Sequence, residues 1–586
     1  MRKGNVEKLS FLVILIFILY RLWIIYTGRN PLDSDEAILG IMSLDILHGH
    51  FPVFFYGQDY MGSFQSLVSI PFIILFGATP LALRITAIVE GIGVLLCWRW
   101  ILKKWNLLNM WIIFGLLFTF APEFFTSLVM KSRGGYIETI FLGSLWLVLL
   151  IAITISSQSF EEQNLRWFFI GLITGIGWWT CQLIMFFFLP GIICFFIMRE
   201  NRMRLKSFFY DSRKIKYHIV TFIILVFYLL SLILIISRGT ISYQYHLSVI
   251  LFRYRWLLFF LHMITILLLL IMHKVSRFPL LPLTTGIGIL IGYIPALYVF
   301  MTKEILYNAA AIKAFENFFI NLSSLFLIAG GTLLGLLDDS FDSLNLPMSL
   351  LVIVPCIYLI AVVLLCIELI DKIRKEKMFP IGEGFFLLSL FLSIFIICII
   401  QQVYSGAPRY AFFFVFFLTL TLAWFLTKQW NISRIATIAM LSVIIGVNFH
   451  SVLRIPPVSV TWRGMVIRED QAIIDFLLAK NINAACTSFN DVNQGYWHAY
   501  RLTFSSGERL IVHPVLHMPR IGRYREVLKK AERCAIITFN PESIRIVFEK
   551  HNLFYNEKNF GSLTVFWGFD KKLVDELNLI SYRESI

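Results

Sequence analysis

Leu9-Ser-Phe-Leu-Val-Ile-Leu-Ile-Phe-Ile-Leu-Tyr-Arg21-Leu-Trp-Ile-Ile-Tyr26 is followed closely by Asp33-Ser-Asp35-Glu36. The first stretch approaches the roughly 20 apolar residues that a membrane-crossing helix needs. Arg2, Lys3 and Lys8 precede it, and a basic flank of this kind marks the cytoplasmic side. The run is too long for a secretory leader and no small-residue cleavage motif follows, so it reads as a retained first span. The three acids then fall at the outer surface.

The rest of the chain repeats the pattern. Of 586 residues, 58% are hydrophobic and only 15% charged, with a mean hydropathy of +0.77. A soluble domain carries about 25% charged residues, and 57 Phe, 22 Tyr and 15 Trp are too much apolar surface for a disordered chain. An α-helical polytopic membrane protein of about 13 spans is expected. The later spans fall near 79–102, 109–127, 136–156, 167–181, 182–198, 217–237, 256–273, 278–300, 349–371, 382–401, 411–428 and 433–449. The 167–181 and 182–198 pair is short enough to read as a broken or tilted hairpin. Two further apolar stretches, 64–77 and 319–337, are left non-spanning, the first for its length and the second for Gly330, Gly331 and Gly335.

Charge supports this division. The segments assigned inside hold 22 Lys/Arg and the outer loops up to residue 449 hold nine, as the positive-inside rule requires. The net charge of +15 is therefore topological, and nucleic acid is not an expected partner. The bilayer is. The reading is a multi-pass cell (inner) membrane protein with a cytoplasmic N-terminus.

Residues 1–449 form the membrane domain and 450–586 a second unit, in which 18 Lys/Arg and 14 Asp/Glu about double the charge density. Strand-like runs at 484–489, 500–505, 510–513, 534–539 and 563–568 alternate with helix-like ones at 466–480, 521–533 and 541–552. That pattern predicts a small α/β domain, extracytoplasmic by parity. Six of the eight cysteines lie in apolar stretches as small hydrophobes; Cys486 and Cys534 are open to pairing in an oxidising compartment.

Three outer elements carry polar chemistry. The first loop holds Asp33, Asp35 and Glu36 ahead of an amphipathic run at 37–47. Asp33 or Asp35 then caps an interfacial helix, or one of the acids is a general base beside the lipid. The second is Lys131-Ser-Arg133-Gly134-Gly135-Tyr136-Ile-Glu138, either a tight turn or a place where backbone approaches a polar ligand. In the third, Pro408-Arg409-Tyr410, the arginine either forks onto a phosphate or snorkels to headgroups. Together they suit the transfer of a group from a lipid-linked phosphate to a hydroxyl, with a carboxylate taking the proton and arginine stabilising the leaving phosphate. Arg21 and Arg84 sit near the outer ends of their spans, where snorkelling is expected. Glu90 lies deeper and has no account from the sequence. His48 and His50 lack metal-ligand spacing.

The stretch Asp35-Glu36-Ala, Gly40, Leu47-His-Gly49, Gly57-Gln58-Asp-Tyr60 and Gly62, then Leu75-Phe-Gly77 and Ala82-Leu83-Arg84, resembles the bacterial GT-C glycosyltransferases. Within them it is similar to the family-39/protein-mannosyltransferase-like and aminoarabinose-transferase-like proteins. Pro408-Arg409-Tyr410 is similar to their late outer loop. The resemblance implies a GT-C-like fold and an inverting transferase using a polyprenyl-phosphate sugar donor and an envelope acceptor (glycan, lipid or protein). It implies Asp35, Glu36 and Glu138 as catalytic acids, and Arg409, Tyr410 and Arg133 at the donor phosphate. Gln58 and Tyr60 are then substrate contacts, and no obligatory metal or other cofactor is implied. Two other readings stay open: a transporter or lipid flippase, which places its site near the midplane and commonly carries inverted repeats, and a ligase of the O-antigen type using diphosphate donors.

Overall fold

The computed structural model describes residues 3–159, 161–198, 224, 226–230, 255–276, 281–302, 318–325, 330–336, 346–376, 379–399, 408–488, 492–515 and 520–572. Among them, eight helices are long and apolar enough to cross a membrane, or nine if one bent pair counts as a span. The chain is a multi-pass membrane protein.

Helix α1 (Lys3–Tyr26) leads into α2 (Ser34–Leu47), a two-stranded hairpin of β1 (Phe54–Phe55) and β2 (Gln58–Gly62), and α3 (Phe64–Phe76). With 13 residues, α3 spans about 20 Å at 1.5 Å per residue, too short to cross a bilayer, as expected of this stretch. Then come α4 (Pro80–Lys104), α5 (Met110–Thr119), α6 (Glu123–Met130), α7 (Ile137–Thr154), α8 (Asn164–Thr180) and α9 (Met185–Ile197). Helix α4 starts with Pro80 in its first turn, where a missing N–H costs nothing, and ends on Lys103 and Lys104 against its negative pole.

The span expected at 109–127 is not straight. Helices α5 and α6 meet at 86°, across a break that contains Pro122, which cannot donate to a continuing helix. The 167–181 and 182–198 pair becomes α8 and α9, separated at Cys181 and a single 3-10 turn.

Helices α10 (Arg255–Ser276) and α11 (Leu281–Thr302) follow, then the short α12 (Phe318–Ser324) and α13 (Gly330–Leu333), formed by described residues of the apolar stretch around 319–337. Helices α8 and α11 pack backbone to backbone. A Cβ on Gly171 or Gly175 would run into the carbonyls of Thr285 or Ile289, and one on Gly288 or Gly292 into those of Phe168 or Leu172. Two Gly-x-x-x-Gly faces thus engage each other, the close approach that small residues permit between membrane helices. The expected span at 217–237 lies almost wholly outside the described residues.

Helices α14 (Met348–Glu376), α15 (Ile381–Ile399), α16 (Phe412–Ile432) and α17 (Arg434–Arg454) complete the bundle. Every residue of α16 from Phe412 to Leu426 is buried. Its Phe416 joins Phe114, Phe385, Phe386 and Trp105 around the fully buried Trp98, with ring centroids 5.8–6.3 Å from that indole.

Beyond α17 lies the α/β unit: α18 (Arg468–Ala479), β3 (Ala484–Thr487), α19 (Val492–Ser505), β4 (Ile511–His513), α20 (Arg523–Lys530), β5 (Ala535–Thr538), α21 (Pro541–Lys550), β6 (Asn556–Phe560) and β7 (Leu563–Trp567). The sheet order is β4-β3-β5-β7-β6, with β3, β4 and β5 parallel and β7 and β6 antiparallel. The strand expected at 500–505 is instead the end of α19. This helix is buried on two sides, with Ala499 and Leu502 against the sheet and Tyr500 and Phe504 against α2, so its apolar residues crowd into a strand-like pattern. Cys486, on β3, and Cys534, just before β5, form no disulfide.

The α/β unit sits on the face that carries the first loop. Arg29 donates to the carbonyls of Leu453 (2.6 Å) and Ile455 (2.8 Å) at the exit of α17, and the Val458 N–H donates to the Gly28 carbonyl. Gly28 has a φ of +65°, and any side chain there would strike the Val458 backbone. One apolar cluster joins Ala37, Ile38 and Ile41 of α2 to Tyr500, Phe504, Ile521 and Tyr524. Helix α2 is therefore sandwiched between α3 and α19 rather than lying open at an interface.

Candidate functional site

Residues 33, 35 and 36 are the N-cap and first-turn positions of α2, along which each residue advances about 100° around the axis. The three carboxylates consequently point in three directions and meet three different environments.

Asp33 is the N-cap, accepting from the Glu36 N–H at 3.0 Å, as one of the two expected arrangements had it. It also pairs with Lys131 (2.7 Å) and with Arg133 through Nε (2.8 Å) and Nη2. Burial pushes its pKa up, but the Arg133 and Lys131 charges and their hydrogen bonds outweigh that and hold it well below the ordinary carboxylate range.

Glu36 is fully buried. Arg84, only 2% exposed, donates to both of its oxygens at 2.6 and 2.7 Å and to the carbonyl of Asn30 at 2.9 Å. One expectation changes here. Arg84 does not snorkel but folds inward onto a carboxylate, so both Glu36 oxygens are occupied. Arg21 does not snorkel either: it is buried, donates to the Phe118 carbonyl at 3.4 Å and lies against the Phe17 and Tyr20 rings.

Asp35 differs from both neighbours. Its side chain keeps 22% of its exposure. Its Oδ1 accepts from the Tyr496 hydroxyl at 2.8 Å and lies 3.5 Å from Arg520 Nη2. Among the described residues nothing hydrogen-bonds its Oδ2. Burial, and then the Asp35 charge, push the Tyr496 phenol above its ordinary range, so it remains a donor.

The second element is a built turn. Gly134 and Gly135 have φ values of +76° and +86°, a region open mainly to glycine. Glu138, one residue into α7, turns back to accept from the Gly135 N–H and from the Tyr136 N–H (3.2 Å). The Gly134 N–H donates to Gln65, whose amide donates to Glu90 at 2.7 Å. Glu90 thus acquires an account: with Gln65 it anchors the turn from below. Glu138 is buried, with its two oxygens accepting from these N–H groups.

At the third element, Phe412, three residues beyond Arg409, stacks on Phe125 (4.8 Å) and meets Tyr136 edge-on (5.4 Å). Since Tyr136 follows Arg133 by three residues, the foot of α16 and the Asp33–Arg133 pair share one end of the bundle. Arg409 itself is exposed. The side chains of Tyr410 and Tyr60 lie outside the described residues. Gln58, with its amide oxygen turned toward Arg520, accepts from both Nη atoms at 3.0 and 2.9 Å.

Tyr496 and Arg520 were missed from the sequence. Nothing in the Tyr496-Trp-His-Ala-Tyr500 stretch points to an acid near residue 35. Among the described residues, no group of three His, Cys, Asp or Glu side chains gathers to hold a metal ion.

No protein-family model matches the chain, and no curated protein sequence does. Solved structures do. ArnT from Cupriavidus metallidurans bound to undecaprenyl phosphate is similar over 97% of this chain and 98% of its own, at 10% identity and a TM-score of 0.38. The Archaeoglobus fulgidus oligosaccharyltransferase, solved with zinc and sulfate, is similar over 96% of this chain and 72% of its own, at 11% identity and a TM-score of 0.45. ArnT in the apo state gives 94%, 97%, 12% and 0.35.

Proposed function

We propose that the chain is an integral-membrane glycosyltransferase. In this reading it moves a sugar from a polyprenyl-phosphate donor to an acceptor hydroxyl at the outer face, with inversion. The observation that carries the reading is the condition of Asp35: alone among the three first-loop acids it keeps an oxygen without a hydrogen bond among the described residues, at a partly exposed position. It also shares an end of the bundle with Arg133 and the foot of α16.

Asp35 takes the proton of the acceptor hydroxyl. The acceptor oxygen attacks the anomeric carbon from the face opposite the phosphate and forms the new glycosidic bond. The old carbon–oxygen bond breaks with its electron pair going to the phosphate, leaving polyprenyl phosphate. Arg409, with Tyr410, is assigned to that developing charge, and Arg133, already oriented by Asp33, to a second phosphate oxygen. Gln58 and Tyr60, on the hairpin beside α2, are assigned to substrate. Glu36 and Glu138 position the loops. The N-terminus is assigned to the cytoplasm and the α/β unit to the outside, on the charge asymmetry of the loops.

The test begins with mass spectrometry of envelope glycans from cells with and without the protein, which identifies the transferred unit. Purified Asp35→Asn is then assayed with the undecaprenyl-phosphate ester of that sugar. It is expected to fold and bind donor yet lose turnover by at least a hundredfold, as when a general base is removed. Turnover at the wild-type rate refutes the assignment.

A further inference from the structure

We infer that the C-terminal α/β unit completes the candidate site, with Tyr496 and Arg520 as positioning residues that fix the orientation of the Asp35 carboxylate. The inference rests on the reading of Asp35 as the base.

Both contacts converge on a single oxygen. The Tyr496 hydroxyl and the Arg520 guanidinium meet Oδ1, while Oδ2 takes no hydrogen bond among the described residues. A carboxylate on a short side chain has two soft torsions, and an anchor on one oxygen sets where the other points. The proton-accepting lone pairs are thereby aimed rather than left to rotate.

The anchors are themselves held from several sides. The Ser34 hydroxyl, one residue before Asp35, donates to the Tyr496 carbonyl at 2.5 Å, tying α19 to the first turn of α2. Arg520 lies over the rings of Phe55 (5.6 Å) and Tyr496 (5.5 Å), where its cation meets the negative ring faces. Its Nη1 reaches the Tyr56 carbonyl at 3.5 Å, Gln58 accepts from both Nη atoms, and its own N–H donates to the Tyr500 hydroxyl at 2.9 Å. The Arg520 side chain passes directly over Gly57, whose φ of +73° keeps that corner of the hairpin tight.

The docking is also substantial away from Asp35. Arg523 pairs with the buried Asp45 of α2 at 2.8 Å and with Glu508 at 3.0 Å, and Tyr56 donates to the same Asp45. The Phe504 ring fills the space left by Gly40. With so many independent attachments, loss of one hydroxyl from Tyr496 leaves the unit seated.

That separation makes the inference testable. Tyr496→Phe keeps the ring and removes only the donor; Arg520→Gln removes the cation and Arg520→Lys restores a charge. Each is assayed with the undecaprenyl-phosphate sugar identified above, and thermal unfolding checks the fold. The expected result for Tyr496→Phe is a kcat roughly tenfold to a hundredfold lower, the scale on which small misplacements act, with KM and unfolding midpoint unchanged. Arg520→Gln is expected to lose kcat similarly and Arg520→Lys to recover part of it. Arg545→Ala, which breaks an exposed ion pair with Glu542 and Glu557, serves as the control at wild-type rate. Wild-type kcat in both Tyr496→Phe and Arg520→Gln, or a raised KM at unchanged kcat, overturns the inference. Asp35→Asn reports separately: if it abolishes turnover while Tyr496→Phe and Arg520→Gln are both silent, the base stands and the positioning role falls.

Discussion

The Glu36–Arg84 pair offers the most direct check on how the first loop is built. Glu36→Gln leaves the guanidinium of Arg84 in a site only 2% exposed with two backbone carbonyls in place of its carboxylate. Arg84→Met strands a carboxylate whose remaining contact is the Ser132 N–H at 3.4 Å. Removing one member of a buried pair costs about 3–5 kcal/mol, because the other charge is left desolvated. Removing both together avoids that penalty. A loss of about 3 kcal/mol from local opening corresponds to roughly a hundredfold acceleration of amide exchange. Hydrogen–deuterium exchange of the purified protein in detergent, followed on peptides covering 30–47, is the assay. Each single variant is expected to exchange at least a hundredfold faster than wild type in α2, and the Glu36→Gln/Arg84→Met double variant within about tenfold of it. Wild-type exchange in both single variants would show that the pair does not hold the loop, and Glu36 would return as a candidate for catalysis.

Other outcomes follow from the same geometry. Asp33 has its folded pKa below the unfolded one, so its contribution to stability is present above the ordinary carboxylate range, near pH 4, and is lost as pH falls through the folded value. The unfolding midpoint gap between wild type and Asp33→Asn is therefore expected to be constant from pH 7 to about 5 and to narrow below pH 4; a gap that widens in acid contradicts the pairing. In the α8–α11 seam, Gly175→Val or Gly288→Val pushes against backbone and is expected to lower stability by about 1–3 kcal/mol or more. Gly446→Ala, with open space around its Cβ, is expected to be neutral or slightly stabilising; equal effects at both places refute the seam. If the proposed polyprenyl-monophosphate reading with no obligatory metal holds, turnover is expected to survive EDTA, and a loss restored by a divalent cation would overturn that expectation.

The spans were legible because a bilayer demands long apolar runs, and α1, α4, α7, α14, α15, α16 and α17 fall where those runs do. The 86° bend between α5 and α6 was not read, since Pro122 sits inside an apolar run that hydropathy treats as continuous. Strand β6, Asn-Glu-Lys-Asn-Phe560, escaped because an exposed edge strand carries no apolar alternation. In the site, the cap and the acid cluster could be seen locally, because caps act within one turn. Which acid pairs with which base could not, since Arg84 lies 48 positions from Glu36 and Lys131 lies 98 from Asp33. Such distances are closed only by the folded bundle.

Tyr496 stands 461 positions after the acid it touches. At about 5–20 residues per second of synthesis, a nascent chain spends on the order of half a minute or longer with its first helix threaded and Asp35 still unlatched. A chain terminated anywhere before Tyr496 would insert its helices and yet leave the carboxylate without either partner. The last ninety or so residues therefore supply contacts that the first forty wait for, so that translation order alone withholds both partners of the Asp35 carboxylate from an unfinished protein.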